Sequence, residues 1–414
     1  MNVNSPNSTN SVLHPHLTEK DSAMNVNSPR TSRTPRTPRT QIGRLSLLAL
    51  AVGGTLAALA LAGPLTPPVG PVTSTYKTLQ EVEPRTAVNA TNTPGNASTL
   101  FRITQPGSYY LTGNITGVAA RHGIQIASSG VTLDLNGFEL IGVTGSFSGV
   151  IINAASSVSV RNGSIRSWGQ RGADAATFGA TNVSFTDLKV AFCGGSGIRA
   201  HTDAEVTRCM VASNGAEGIF VNTGSTVIGC TATGNSIAGI ASAGDSTIIQ
   251  CTSSDNIGDG FNVGSGSTVS QCTASRNTNI GIRAFTGCTI TSCTTKGNVN
   301  HGIYVGFHCS VLNNTSVQNG VGPSISAGIF VEFNNNRIEG NVCNESDRGI
   351  SVSGSGNVVI RNTCSGNTTS NWLVSLNNIV GPVIDRTAPG SPGFSTNSFA
   401  GSTATTDPNA NFTH

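Results

Sequence analysis

Charged and aromatic side chains are scarce in this chain of 414 residues, where they make up 10% and 5% of the composition. A chain so poor in Glu, Lys, Arg and large apolar residues is unsuited to long amphipathic helices packed around a bulky core. Glycine, in contrast, occurs 50 times. Because glycine supplies the backbone angles that tight turns require, the composition favours many short strands joined by turns.

The net charge of +3 is concentrated near the N-terminus. Residues 1–62 hold six basic and two acidic residues, which leaves 17 basic and 18 acidic residues in the rest of the chain. A nucleic-acid-binding domain needs a basic face. The larger part of the chain has no excess of basic residues, so we predict no nucleic-acid partner.

The first 100 residues divide into three segments by composition. Residues 1–44 are polar, basic and without periodicity, and we predict that they are disordered. Residues 45–63 form an uncharged apolar run that ends in the cleavage pattern Ala-Leu-Ala. This run predicts a signal peptide, and an uncleaved membrane anchor is the alternative. If the run is uncleaved, it is the only predicted contact with a membrane. Both place the rest of the protein outside the cell or on its surface, with residues 64–100 as linker and N-terminal cap.

The sequence repeats every 21 residues without a gap over residues 185–310. A fixed period of this size means that each repeat is one supersecondary unit stacked on the next. Every repeat carries a Gly followed by an apolar residue, as in Gly197-Ile198, and this mark recurs from Gly123 to Gly349. The pattern predicts an all-β solenoid over residues 101–380, with residues 381–414 as a C-terminal cap or tail.

Asparagine and cysteine stand in columns with this period. A repeated Asn tolerates the left-handed conformation of a turn, and its amide can hydrogen-bond to the same amide one turn away. We therefore predict a structural Asn ladder, formed by Asn214, Asn235, Asn256, Asn277, Asn298 and Asn319. We also predict an interior stack of buried thiols that act as small apolar filler. This stack is formed by Cys209, Cys230, Cys251, Cys272 and Cys293.

Four other cysteines lie in pairs one turn apart, Cys288 with Cys309 and Cys343 with Cys364. Neighbouring turns of a solenoid are ~4.8 Å apart, which is within disulfide range for Cα atoms. Parallel Cβ directions are unfavourable for a bridge, whereas export would permit one. Disulfides and free thiols are therefore both retained as alternatives for these pairs. No CxxC pair is present, and we predict no metal site and no cofactor.

The 21-residue repeat, the Asn column, the aliphatic stacks and the Gly-Ile strand resemble those of the pectate-lyase-like superfamily. The resemblance covers about residues 101–380 and implies a right-handed parallel β-helix of about eleven coils. It also implies a choice among polysaccharide lyases, glycoside hydrolases, uronate epimerases and repeat proteins of unknown role. The segment NIGDGF at residues 256–261 is similar to a uronate-epimerase motif, but the DPH that should follow is missing.

The outward positions of the Gly-Ile strand hold many of the few aromatic and charged side chains. Aromatic faces stack on sugar rings, and Arg and His bind hydroxyl and carboxylate groups. A groove along parallel coils suits a polysaccharide or cell-surface glycan. The predicted groove residues are Arg199, His201, Phe220, Asn262, Arg283, Phe285, Tyr304, His308, Phe330 and Glu332. The alternative is that the aromatic residues lie under an inserted loop at 320–324 and only cover the sheet.

Three residues at one end of this surface, Asp174, Arg199 and His201, are candidates for acid–base catalysis, since sugar cleavage needs a base and charge stabilisation. A salt bridge between Asp174 and Arg199 is the alternative. An enzyme needs acidic and basic groups that converge within one or two coils, whereas a binding protein needs only spread aromatic and polar groups. The sequence favours an exported or cell-surface protein that binds carbohydrate or is structural, without catalysis. A polysaccharide lyase, glycoside hydrolase or uronate epimerase is the alternative.

Overall fold

The computed structural model describes residues 83–176, 179–320, 326–385, 387 and 405–414. All regular secondary structure in these ranges is β-strand. Within the same ranges there is no helix of the length and apolarity needed to cross a membrane. The segments predicted to be disordered (1–44) and to be a signal or anchor (45–63) lie outside the described residues, as does most of the inserted loop.

The described residues form short strands that follow one another along the chain. They are β1 (Thr86–Ala87), β2 (Pro94–Asn96), β3 (Thr99–Ile103), β4 (Gly107–Tyr110), β5 (Ile115–Thr116), β6 (His122–Ile126), β7 (Val131–Asp134), β8 (Glu139–Ile141), β9 (Val150–Ile152), β10 (Ser156–Arg166), β11 (Ala173–Asp174), β12 (Thr181–Ala191), β13 (Ile198–Arg199), β14 (Glu205–Thr207), β15 (Met210–Ala212), β16 (Ile219–Val221), β17 (Thr226–Ile228), β18 (Thr231–Thr233), β19 (Ile240–Ser242), β20 (Thr247–Ile249), β21 (Thr252–Ser254), β22 (Phe261–Val263), β23 (Thr268–Ser270), β24 (Thr273–Ser275), β25 (Ile282–Ala284), β26 (Thr289–Thr291), β27 (Thr294–Lys296), β28 (Ile303–Val305), β29 (Ser310–Leu312), β30 (Thr315–Val317), β31 (Ile329–Val331), β32 (Arg337–Glu339), β33 (Val342–Asn344), β34 (Arg348–Val352), β35 (Val358–Ile360), β36 (Thr363–Ser365), β37 (Ser370–Val374), β38 (Ile379–Val380), β39 (Val383–Asp385) and β40 (Asn411–Thr413).

These strands belong to two sheets. Sheet 2 contains 14 strands, which are β2, β3, β6, β9, β11, β13, β16, β19, β22, β25, β28, β31, β34 and β37. The other 26 strands form sheet 1. In the regular part, each turn contributes one strand to sheet 2 and two to sheet 1. Strands pair in parallel with partners 21 residues apart, as Ile219 does with Ile240, which confirms the predicted parallel β-helix and its repeat.

The number of turns is about fourteen, as counted along sheet 2, and the predicted eleven was too low. The Gly-apolar mark is present from β6 to β34. Strands β2, β3 and β37 lack this mark but still pair within sheet 2. The backbone pairing therefore extends beyond the turns that the mark identifies.

Aliphatic side chains fill the narrow interior of the solenoid. A β-branched residue stands three positions before each cysteine of the interior stack and, one turn later, before Asn314. These residues are 0% exposed in six consecutive turns, at Val206, Val227, Ile248, Val269, Ile290 and Val311. Burying such a side chain contributes about 1.5–3 kcal/mol. Each turn buries these side chains only against its neighbours, so the stability of the solenoid depends on stacking.

The predicted Asn ladder is present. The side-chain amide of Asn235 donates to Oδ1 of Asn256 at 3.0 Å, and Asn256 donates to Asn277 at 2.9 Å. The same oxygen of Asn256 also accepts the backbone N–H of Asn235 at 2.9 Å. Each buried amide thus satisfies a side chain and a backbone group of the preceding turn, which holds the turns in register.

The cysteine stack forms a second ladder, which the sequence analysis described only as apolar filler. The backbone N–H of Cys209 donates to Sγ of Cys230 at 3.4 Å, and this thiol donates to the carbonyl of Val206 at 3.4 Å. After Cys293 the same column continues with Asn, because Cys293 N–H donates to Asn314 Oδ1 at 2.9 Å. The thiols therefore occupy hydrogen-bonding positions that Asn occupies in later turns.

A third ladder passes through Cys288 and Cys309, where the N–H of Cys288 donates to Sγ of Cys309 at 3.4 Å. All ten cysteines are free thiols, so the predicted alternative of bridges at Cys288–Cys309 and Cys343–Cys364 is not realised. The residues Cys343 and Cys364 are direct neighbours in parallel strands. Side chains at such positions point in the same direction, which is unfavourable for a disulfide.

Burial of these thiols predicts that they are unreactive in the folded protein. All ten cysteines are buried, and burial also raises the pKa of Cys193 to about 11. We expect no reaction of native protein with Ellman's reagent within minutes, because a buried thiol meets the reagent only when the solenoid opens. Unfolding without reductant should release ten reactive thiols per chain. Fewer than ten would show that bridges form after all.

The corners of the solenoid require a left-handed backbone. At the corner between the second strand of sheet 1 and the ladder Asn, successive turns have φ values of 57°, 53°, 65°, 58° and 53° at Phe192, Ser213, Gly234, Asp255 and Arg276. The corner therefore imposes this conformation on whichever residue occupies it. Small or polar residues adopt it most readily, and a bulky residue is unusual there.

Strands of the solenoid lie on both sides of the predicted boundaries at residues 101 and 381. Strand β1 pairs with β4, and β40 pairs with β36 and β39. Asn411 in β40 also extends the second ladder, since its Oδ1 accepts the N–H of Asn362 at 2.9 Å. Residues near both chain ends thus contribute to sheet 1 and protect its backbone groups.

Candidate functional site

The outward side chains of sheet 2 form one continuous column, which we call the outer column. Backbone register places its members side by side on successive turns: Asp174, Arg199, Phe220, Ala241, Asn262, Arg283, Tyr304, Phe330 and Ser351. Adjacent members are ~4.8 Å apart along the solenoid. Six of the ten predicted groove residues lie in this column.

The other four predicted groove residues lie beside the column. His201, Phe285 and Glu332 occupy the turn that directly follows a strand of sheet 2. Phe285 is 47% exposed. His308 is exposed at the next left-handed corner, where its φ is 58°. These side chains therefore border the outer column on one side.

A charged cleft of about 510 Å³ opens at one end of the outer column. It is lined by Gly169, Gln170, Arg171, Gly194, Gly195, Ser196, Arg199, Ala216, Glu217 and Phe220. Ser196 donates its hydroxyl to Glu217 at 2.9 Å, so this carboxylate is oriented toward the neighbouring turn. The guanidinium of Arg199 lies over the ring of Phe220 at 5.6 Å from its centroid. The cleft combines an aromatic face, a cation and hydroxyl-binding groups.

The three catalytic candidates do not form a converging acid–base group. Asp174 is only 1% exposed, and its carboxylate pairs with Arg171 at 2.9 Å rather than with Arg199. His201 shares a hydrogen bond between its Nδ1 and the Thr202 hydroxyl at 3.1 Å. Arg199 forms no ion pair with any residue in the described ranges. Its guanidinium is therefore available to a ligand.

An aromatic cluster lies farther along the same column. Arg283 is held by Asp259, with Nε and Oδ2 at 2.7 Å, and its guanidinium lies over the ring of Tyr304 at 5.1 Å. The imidazole of His301 stacks on Phe330 at 4.5 Å with the ring planes 9° apart. Tyr304 and Phe330 lie 5.8 Å apart. These contacts fix the orientation of the partly exposed rings.

His301 is a neutral part of this cluster. Burial, and to a smaller extent the nearby Arg283, lowers the pKa of His301 from 6.5 to about 4. Its Nδ1 accepts the backbone N–H of Ala327 at 3.1 Å, which the protonated ring could not do. The cluster therefore depends on an uncharged imidazole.

This histidine should make stability depend on pH. Its pKa is lower in the folded than in the unfolded protein, so the unfolded chain binds more protons below pH 6.5. Stability is fully present above that pH and is lost as pH falls toward 4, by about 2 kcal/mol. His301→Gln should reduce this loss, measured as the urea midpoint at several pH values. His308→Gln, on an exposed corner, is the control and should keep the wild-type profile; an unchanged profile in both variants would contradict the assignment.

Two exposed phenylalanines extend the aromatic surface beyond the outer column. The rings of Phe307 and Phe333 stack at 4.2 Å with planes 3° apart, and the side chains are 37% and 39% exposed. With Phe285 they form an apolar strip beside the aromatic cluster. Exposed stacked rings of this kind are suited to contact with the apolar face of a sugar.

Several residues of the site were missed by the sequence analysis. Arg171, Ser196, Glu217, Asp259 and His301 all stand one position before the Gly of the Gly-apolar mark. Most of the predicted groove residues stand two or four positions after this Gly instead. Alignment of the repeats at the position directly before the Gly would have found them. The side chains at this position lie next to the outer column.

The chain matches the family model described as right handed beta helix region over residues 103–252. The chain is a right-handed β-helix repeat protein. This match and the parallel sheets together confirm the predicted handedness and fold. No protein with a curated function matches the sequence.

The β-helix is similar to the A-module of mannuronan C-5 epimerase AlgE4 from Azotobacter vinelandii, with a TM-score of 0.53 and 15% identity over 67% of this chain and 91% of that chain. Pectate lyase Pel9A gives a TM-score of 0.35 and 16% identity over 62% and 69% of the two chains. The Dettilon tailspike protein gives 0.41 and 13% identity over 66% and 60%. At 15% identity, the likeness to the epimerase A-module shows the fold alone.

Proposed function

We propose that this β-helix protein binds an extended polysaccharide along the outer column without cleaving it, outside the cell or on its surface. The apolar run at residues 45–63, which predicts export, supports the location. Acidic polysaccharides are the favoured ligands, because Arg199 lacks an acidic partner in the described ranges and lies beside an aromatic face.

The observation that carries this proposal is the shared register of the charged cleft and the aromatic cluster. Phe220 and Tyr304 occupy the same column four turns apart, through Ala241, Asn262 and Arg283. At ~4.8 Å per turn this is a path of roughly 19 Å. A single sugar cannot contact both ends, whereas a chain of several sugars can. The structural neighbour that is an epimerase of mannuronan, a polysaccharide, is consistent with this class of ligand.

The arrangement of the ionisable groups supports binding without catalysis. The buried carboxylate of Asp174 is paired with Arg171, and His301 accepts a backbone hydrogen bond. Glu217 accepts the hydroxyl of Ser196 beside Arg199. General acid–base catalysis requires a group within hydrogen-bond reach of the reacting proton. Asp174, His301 and Glu217 are thus engaged with protein partners, which leaves Arg199 for the ligand.

Retention on immobilised polysaccharides tests the proposal. We expect the mature chain to be retained on polygalacturonate or alginate and to release no unsaturated uronates, new reducing ends or epimerised residues. Release or epimerisation that is abolished by Arg199→Ala would instead identify a lyase, hydrolase or epimerase. If neither these polymers nor a broad glycan array retained the protein, the binding proposal would be wrong.

A further inference from the structure

A second cleft adjoins the charged cleft around a corner of the solenoid. It has a volume of about 610 Å³ and is lined by Gly142, Val143, Thr144, Gly145, Ser167, Trp168, Gly169, Phe192 and Gly194. Gly169 and Gly194 line both clefts. The two clefts therefore meet at these glycines, and we call the combined cleft the trough. Most of its residues lie in the segments that lead from a strand of sheet 1 to the next strand of sheet 2, so the trough extends from the corner after sheet 1 toward the outer column.

The floor of the trough is bare backbone. A Cβ atom on Gly169 would collide with the carbonyl oxygen of Ser146, and one on Gly194 would collide with that of Gly169. The position directly after the ladder residue is again glycine at Gly215. From the next turn onward it carries side chains, at Ser236, Ile257, Thr278 and Val299. The trough is thus open only at these early turns.

Phe192 forms one wall of the trough and is unusual in two respects. Its side chain is 64% exposed, so it contributes little to the core. Its φ of 57° is the left-handed corner conformation, which is unfavourable for a bulky residue. The same corner holds Ser213 and Gly234 in the next turns. Later turns hold this corner in the same conformation, up to Arg276, so the φ itself belongs to the fold. The informative feature of Phe192 is an exposed aromatic face beside a cleft, which is suited to contact with a ligand ring.

The other end of the trough supplies polar recognition. Arg199 is without an ionic partner in the part of the chain described, and the carboxylate of Glu217 is oriented by Ser196. A ligand that fits both ends needs an apolar ring face for Phe192 and a carboxylate with hydroxyl groups for Arg199 and Glu217. Acidic sugars joined in a short chain combine these features.

We propose that the trough is a second binding site, in which a short acidic oligosaccharide crosses the corner with a sugar ring on Phe192 and a carboxylate at Arg199. The ligand class rests on the proposed function. The site itself is new, because the path leaves the outer column at Arg199 and continues toward sheet 1. Such a fork would allow the protein to hold a side branch, or a second chain, beside the polysaccharide on the outer column.

Substitution of Phe192 by glycine separates ligand contact from structural support. Glycine adopts the left-handed conformation without strain, so Phe192→Gly should unfold at the wild-type temperature or above it. It should bind oligogalacturonates and oligoalginates of three to four sugars about fivefold more weakly, as measured by titration calorimetry. Ser213→Gly, at the same corner one turn later, is the matched control and should keep the wild-type affinity.

The outcomes distinguish this site from the proposed function. If the wild type binds these oligosaccharides and Phe192→Gly binds them equally well, the trough site is wrong while the outer column stands. A lower unfolding temperature with unchanged affinity would show that Phe192 is structural, and would also overturn the site. If the wild type binds neither oligosaccharides nor polymers, both proposals fail.

Discussion

Replacing Tyr304 and Phe330 together with alanine should weaken retention on an acidic polysaccharide by about 10- to 100-fold. The rings lie 5.8 Å apart on adjacent turns of the outer column, and Arg283 and His301 fix their orientation. Rigid, partly exposed aromatic residues contribute most to binding, because little side-chain entropy is lost on contact. Affinity electrophoresis in gels that contain polygalacturonate or alginate gives the measurement.

The matched control is Met210→Ala. Met210 is 56% exposed on sheet 1, so this variant removes a comparable apolar side chain from the opposite sheet. It should be retained like the wild type. Both variants should keep a cooperative unfolding transition, since none of the three side chains belongs to the buried interior. Equal retention of the double variant and the control would mean that the aromatic cluster does not contact the polysaccharide.

Replacing Asn277 with leucine should lower the free energy of unfolding by about 3–5 kcal/mol. Asn277 is 0% exposed and accepts the backbone N–H of Asn256 at 3.1 Å and its side-chain amide at 2.9 Å. It also donates to Asn298 Oδ1 at 2.9 Å and to the carbonyl of Ser253 at 3.2 Å. Leucine has a similar volume but leaves these buried partners without their hydrogen bonds.

Asn262→Leu is the control for the ladder. Asn262 lies in the outer column one turn before Arg283, where its side chain is partly exposed. This variant should change the stability by no more than about 0.5 kcal/mol, measured by urea denaturation. Equal effects at residues 277 and 262 would show that the ladder does not stabilise the solenoid more than a surface position does.

The repeat period made the fold predictable from sequence. A period of 21 residues fixes which side chains become neighbours, so the Asn ladder and the outer column follow from alignment of the repeats. The number of turns was less accessible, because β3 and β37 pair by backbone hydrogen bonds without the Gly-apolar mark. Backbone hydrogen bonds to a neighbouring strand do not require particular side chains. The sequence of such a strand therefore need not show the repeat pattern.

The contacts within the site were harder to predict than its columns. The sequence placed Asp174 beside Arg199, but its ionic partner is Arg171, which lies three residues earlier in the same turn. The role of His301 depends on burial by neighbouring rings. The hydrogen bonds of the thiols depend on the corner geometry that places each Sγ next to the backbone N–H one turn before. The last two features arise between turns and are not properties of a single repeat.

The dependence of affinity on ligand length tests the central claim most directly. If an extended chain lies along the outer column, affinity for oligouronates should rise with length until the chain spans the roughly 19 Å from Phe220 to Tyr304, and then level off. In Tyr304→Ala/Phe330→Ala the rise should stop at a shorter length. A disaccharide that binds the wild type as tightly as the longest oligosaccharide would contradict binding along the column.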